Sequence, residues 1–230
     1  MIEFVYKTRD FLVISKPAGV PSQSDTSGDE DAMTLTSRAL SDMGEPSDLW
    51  LVHRLDRVVG GLLVFARNKA AAASLSALAS GVGMEKEYIA VVEGRAEGGV
   101  MRDFLFKDSK KGKAFVVDTE RRGAKEALLE YTPVAFSETD RGAYTLVRIK
   151  LHTGRFHQIR AQFSSRGHSI VGDGKYGSHD NKAKLPALFA SGLAFTLKGR
   201  RNEAAALPDL EAYPWSIFEK ELYNDRKDLL

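Results

Sequence analysis

The sequence predicts an α+β domain with a mixed, mainly antiparallel central sheet and flanking helices. Three observations lead there. Short apolar runs of strand length outnumber helical stretches. These runs do not alternate regularly with helices, which argues against a doubly wound parallel sheet. No Pro-rich or Ser-rich linker splits the middle of the chain, so residues 1–230 are read as one domain.

The elements follow in order. Phe4-Val5-Tyr6 and Phe11–Ile14 are two strands joined at Arg9-Asp10, and Lys16-Pro17-Ala18-Gly19 ends the second. Pro21 to Asp31, rich in Ser, Asp and Gly, reads as a mobile loop. Leu35 to Met43 reads as a short helix, and Leu62–Ala66 as a buried strand. Asn68 caps an Ala-rich helix over Lys69 to Ala79 that stops at Gly81. Tyr88–Val92 is a strand turned by Glu93-Gly94. Further strands are expected at Ala114–Val117, Ala127–Val134, Tyr144–Leu151 and Leu193–Leu197. Thr153 is expected to cap a helix through Arg155–Ser165 that Gly167 stops.

That last helix is informative. At about 100° per residue, Phe156, Ile159 and Phe163 share a stripe facing the core. Arg160 sits at the edge of the stripe, with His157 and Ser164 beside it, while Arg155, Gln162 and Arg166 point elsewhere. A half-buried guanidinium either pairs with a carboxylate or snorkels to water, and both readings are open.

Composition narrows the function. The chain has 230 residues, 43% hydrophobic and 28% charged, the balance of a globular protein. The absence of Cys excludes a disulfide scaffold, thiolate metal sites and a Cys nucleophile. No apolar run approaches the ~18 residues of a membrane-spanning helix. Met1-Ile2-Glu3-Phe4 has neither a basic n-region nor an apolar h-region, so the expected location is cytoplasmic. The net charge is only +2, but the charge is unevenly placed. Val147 to Tyr176 holds six Lys/Arg against one acid, and Lys107 to Lys125 holds seven against three. Glu203 to Asp228 reverses the balance, with seven acids and three bases. Such clustering suits one cationic face that would bind a polyanion.

Several motifs fail. Gly172, Gly174 and Gly177 match dinucleotide-fingerprint spacing, but no helix follows and no acid stands about 20 residues on, so they read as a turn. The His spacings place no two ligands on one helical turn, so no metal is expected. No G-x-S-x-G occurs.

One constellation remains. Leu51-Val52-His53-Arg54-Leu55-Asp56 precedes Gly60-Gly61 and the strand Leu62–Ala66. Paired glycines permit close backbone approach, and the loop can present Asp56 in a cleft. His53-Arg54-Leu55-Asp56 with Gly61-Leu62-Leu63 resembles the catalytic motif of the RluA-type pseudouridine synthases. Lys16-Pro17-Ala18-Gly19 resembles that family's early Lys-Pro-x-Gly segment, and Lys86-Glu87-Tyr88-Ile89-Ala90 its Lys-x-Tyr-x-Ala strand. Thr153 to Arg160, then Gly167 to Asp173 and Tyr176-Gly177, resemble its long C-terminal motif. The resemblance covers Lys16 to Gly177 in the family's order. It implies an α+β catalytic fold with an RNA cleft and no additional N-terminal S4 domain.

The resemblance also implies the chemistry. Uridine in RNA is isomerised to pseudouridine without cofactor or metal. Asp56 is the carboxylate at the sugar–base junction, adding covalently or assisting loss of the base. Tyr88 packs on the target base and is a candidate proton acceptor. Arg160 matches the Arg that pairs with the catalytic Asp and keeps it ionised. Arg54 helps hold the extruded nucleotide. His53, Arg155, His157 and Gln158 are read as substrate-binding neighbours. A bracing role stays open for His157 and Gln158, and a surface-charge role for Arg155. The expected partner is ribosomal or transfer RNA, and the expected state is a monomer. Val59-Gly60 departs from the family's usual Thr-Ser before the glycine, which removes two hydroxyls near the catalytic loop. The competing readings are a silent RNA-binding or RNA-folding factor on the same fold, and a glycosidase, which would need a second acid opposite Asp56.

Overall fold

The computed structural model describes residues 2–120 and 122–229. Arg121, within the second basic stretch, lies outside them. The chain forms two compact units, one of residues 1–85 and 189–208, the other of residues 86–188 and 209–230.

The first unit holds β1 (Glu3–Lys7), β2 (Phe11–Lys16), α1 (Ala32–Asp42), β3 (Trp50–Leu51), β4 (Gly60–Ala66) and α2 (Lys69–Ser80). The second holds most of β5 (Met84–Glu93), then β6 (Gly99–Asp108), β7 (Lys113–Val117), β8 (Ala124–Thr139), β9 (Gly142–Leu151) and α3 (Gln158–Ser164). Then most of β10 (Leu188–Leu197) and β11 (Arg200–Ala205) belong to the first, and α4 (Glu219–Leu229) to the second.

In the first unit β4 is the centre. Every residue of β4 is buried. It pairs antiparallel with β2 along Phe11↔Ala66 to Lys16↔Gly61. On its other edge β3 pairs antiparallel at Phe65 and Ala66, and β10 pairs parallel at Gly60 and Gly61. A strand buried on both faces reads as a continuous apolar run, which is why Leu62–Ala66 was legible. Phe11, Val13, Leu62, Val64, Leu75, Leu193 and Phe195 make the core under α2. Asn68 caps that helix, its side chain accepting from the Ala71 amide, and Gly81 ends it as expected.

The second unit is an antiparallel array in which β5 pairs with β9, β9 with β8, β8 with β6, and β6 with β7. α3 packs Ala161 with Leu105, Ala114, Ala127 and Tyr176. Mixed sheet with few helices is the α+β architecture the sequence predicts.

Several boundaries differ, each for a physical reason. α1 begins at Ala32 because Asp31 caps it through the Thr34 amide, three residues before the expected start. β8 runs past Pro133 to Thr139, because a register shift between Pro133 and Ala135 absorbs a residue with no amide hydrogen. β6 and β11 were not foreseen, since Arg102-Asp103 and Arg200-Arg201 interrupt their apolar patterns. The largest correction is α3. It starts at Gln158, not Arg155, and its N-terminal flank is His157 in the left-handed region with φ 51°. Thr153 does not cap it. Its hydroxyl donates to Gln158 Oε1 and accepts from the Leu128 amide. Phe156 therefore precedes the helix and is exposed rather than core-facing, while Ile159 and Phe163 are buried as expected. Gln162, expected to point away, is fully buried, with its amide donating to Met101 O and Asp103. Gly172 and Gly177 are turn glycines with φ of 82° and 88°.

Candidate active site

In the first unit, Asp56 is half-buried on the loop between β3 and β4. The backbone of that loop is laced to the segment following β2. The Gly19 amide donates to Arg57 O at 2.8 Å, and Arg57 Nε returns a bond to Gly19 O at 3.0 Å. Ser22 Oγ donates to Leu55 O at 2.9 Å and accepts from the Leu55 amide at 3.0 Å. The Val59 amide closes a turn onto Asp56 O at 3.0 Å.

Beneath this lacing lies Lys16, 1% exposed. Its ammonium donates to Pro17 O at 2.9 Å, Val20 O at 2.7 Å and Arg57 O at 3.3 Å. Burial pushes the Lys16 pKa down from 10.5 to about 7, with the Asp56 charge opposing the shift and Arg57 adding to it. Lys16 thus ties the segment after β2 to the Asp56 loop at Arg57 and places a cation in the field of Asp56. It stood in the sequence only as part of a motif. A lysine ending a strand gives no sign that it turns inward, since lysine is almost never fully buried unless its charge is compensated.

The paired glycines set where this loop can start. A Cβ on Gly61 would stand 2.3 Å from Ala190 O and 2.6 Å from Ala190 N, and Gly61 has φ 112°. Only glycine lets β10 reach β4 there. His53 is half-buried and accepts from the Val64 amide through Nε2 at 3.3 Å, so it braces the loop against β4. Arg54 is exposed.

In the second unit, Tyr88 is buried on β5 opposite Ile149 of β9. Arg160 is buried on α3, 4% exposed, rather than half-buried. It pairs bidentately with Asp173, Nε to Oδ2 at 2.6 Å and Nη2 to Oδ1 at 2.9 Å. Of the two readings open from the sequence, the structure shows the carboxylate pair, with Asp173, itself 1% exposed, as a partner. Gln158 is buried and accepts through Oε1 from Thr153 Oγ1 and the Arg155 amide, so it clasps the loop before α3. Arg155 is exposed, its Nε donating to Glu126 O. His157 shares a hydrogen bond at 2.9 Å between Nδ1 and Tyr176 Oη. Among the described residues, no group of three or more His, Cys, Asp or Glu is placed to hold a metal ion. No helix among them is long and apolar enough to cross a membrane.

A family model described as RNA pseudouridylate synthase matches residues 10–165. The chain belongs to that family. The match contains the Asp56 loop, Tyr88 and Arg160, and the family is one of isomerases that modify RNA. The chain is 34% identical over 182 residues to an uncharacterized RNA pseudouridine synthase of Aquifex aeolicus, covering 76% of this chain and 56% of that one. It therefore spans a little over half the length of that relative. It is 30% identical over 207 residues to an uncharacterized RNA pseudouridine synthase of Haemophilus influenzae, covering 90% and 88%. The solved structure of human RNA pseudouridylate synthase domain containing 1 is similar in fold, with TM-score 0.77 and 24% identity over 94% of this chain and 86% of that one.

Proposed function

We propose that the protein isomerises uridine to pseudouridine in ribosomal or transfer RNA, with Asp56 as the carboxylate at the sugar–base junction. The observation that carries the assignment is the Asp56 loop, whose backbone is tied on both sides of Asp56 by Lys16, Gly19 and Ser22. A preorganised carboxylate acts without the cost of ordering its loop. In the reaction the N1–C1′ bond breaks and a C5–C1′ bond forms. N1 gains a proton and C5 loses one to solvent. Asp56 serves either by adding to C1′ or by assisting departure of the base.

Tyr88 takes the role of the aromatic neighbour of the base and acceptor of the C5 proton. Arg160 takes the role of the cation that keeps the catalytic carboxylate ionised, with Asp173 orienting its guanidinium. Arg54 holds the extruded nucleotide, which must leave its stack before reaction. His53 and Gln158 brace their loops. Arg155 and His157 stand beside the RNA. We place the protein in the cytoplasm as a monomer that uses no cofactor. The family match runs from residue 10 to 165, through parts of both units, which supports reading the chain as one catalytic domain.

The test is tritium release from RNA labelled at uridine C5, offered as unmodified transfer and ribosomal RNA in separate assays. Wild type releases tritium and Asp56→Ala does not, while both bind RNA equally. Equal RNA binding with no release by either protein would instead leave a silent RNA-binding factor.

A further inference from the structure

The second unit carries an aromatic feature that the reaction above does not use. Phe156 is 37% exposed, one of the few large apolar side chains at the surface. Its ring stacks on His157 with centroids 3.8 Å apart and planes at 20°. His157 adopts φ 51°, a left-handed conformation that costs a non-glycine residue free energy unless its surroundings hold it. They do hold it. The Ala114 amide donates to Tyr176 Oη at 2.8 Å, and the same oxygen shares a hydrogen bond with His157 Nδ1 at 2.9 Å. The strained backbone therefore presents Phe156 outward on a pinned support.

The support is uncharged. Burial above all, and then the cations Arg160, Lys175 and Lys107, lower the His157 pKa from 6.5 to about 3. One ammonium lies over the Phe156 ring, and others lie on the elements beside it. Lys107 Nζ lies 4.5 Å from the Phe156 centroid, and Lys113 Nζ lies 4.7 Å from the Tyr176 centroid. A Cβ on Gly112, at the tip of the β6–β7 hairpin, would stand 3.4 Å from Lys175 Nζ. An exposed neutral ring stack with lysines on the neighbouring elements is the chemistry that takes a flat base and its phosphates.

We propose that Phe156 is a stacking shelf for an unpaired nucleobase of the RNA substrate, with Lys107, Lys113 and Lys175 taking the flanking phosphates. The base stacks on Phe156, and Lys107, on its long flexible stem, moves from the ring to a phosphate. The shelf adds a second point of attachment on the RNA beside the flipped uridine, and it rests on the reading of RNA as substrate.

The probe is a short single-stranded RNA in which 2-aminopurine is placed at each position in turn. Stacking quenches its fluorescence. Wild type quenches the probe at one or a few positions. Phe156→Leu, which keeps the apolar contact but removes the aromatic face, loses that quenching and binds about five- to a hundredfold more weakly. Phe156→Tyr keeps both. Equal binding and quenching by wild type and Phe156→Leu would overturn the shelf, as would the absence of quenching by wild type at every position. Tritium release by wild type is read separately, so the shelf can fail while the isomerase reading stands, and the reverse.

Discussion

At the scale of single residues, Lys16 shows how one buried position can brace the Asp56 loop. Its ammonium bridges the carbonyls of residues 17, 20 and 57, so Asp56 hangs from a strut anchored in β2. The strut costs stability in a pH window that follows from its shift. The unfolded chain holds the Lys16 proton up to about pH 10.4, whereas the folded chain releases it near the lowered value of about 7. Between those values the unfolded state binds more protons, so stability rises with pH across the window and the penalty is complete below it. Denaturant midpoints of wild type are expected to climb relative to Lys16→Met between about pH 7 and pH 9. Parallel pH profiles for the two proteins would refute the assignment. Tritium release by Lys16→Met is expected to fall as well, since the Asp56 loop loses its tie from the ammonium at Arg57 O. Lys16, Asp173 and Tyr176 each stood in the sequence only as motif positions, because burial and pairing of polar residues depend on neighbours distant in the chain. Asp56, Tyr88 and Arg160 could be proposed from the sequence because the spacing of their motifs survives in the linear order.

At the scale of elements, β4 and α3 behaved differently. The β4 run is apolar throughout, and its burial on both faces follows directly. Its glycines were expected to allow close approach, and Gly61 does so against β10. Gly61→Ala is expected to lose about 3 kcal/mol or more, because the new Cβ meets backbone and the φ is unfavourable for alanine. Chemical denaturation measures the loss, and a change below about 1 kcal/mol would show that β10 yields instead. For α3 the stripe argument found Ile159 and Phe163 and left Arg160 open between a carboxylate and water, but it placed the helix start too early. The cause is local competition. Gln158 Oε1 already accepts from Thr153 and from the Arg155 amide, so residues 153–157 are satisfied as a loop and the helix begins after them. Hydrophobic periodicity carries no record of such a side-chain clasp.

At the scale of the whole molecule, charge matters more than its sum. A net charge of +2 predicts little, yet Lys107, Lys111, Lys113 and Lys175 gather near the β6–β7 hairpin and the loop before α3. RNA affinity is therefore expected to fall linearly in log–log form with salt, by about 0.7 per phosphate contacted on a single strand. Lys107→Ala with Lys113→Ala should make that slope shallower by about 1.4 if each ammonium takes one phosphate. An unchanged slope would move the phosphate contacts elsewhere. The interleaving of the two units along the chain, each built from separated segments, left no mark in composition, because none of the three crossings is made through a linker of distinct residue type.

The sequence by itself determined the α+β class, the core strands, the Asp56 loop with its glycines and the family. These rest on periodicity and on residue types at short spacing, which are local properties of a chain. Only the tertiary structure decided that Lys16 lies buried under the Asp56 loop, that Asp173 holds Arg160, and that a left-handed His157 turns Phe156 out to solvent. Each depends on a contact between segments far apart in sequence or on a backbone torsion, and neither is written in the pattern of apolar and polar residues.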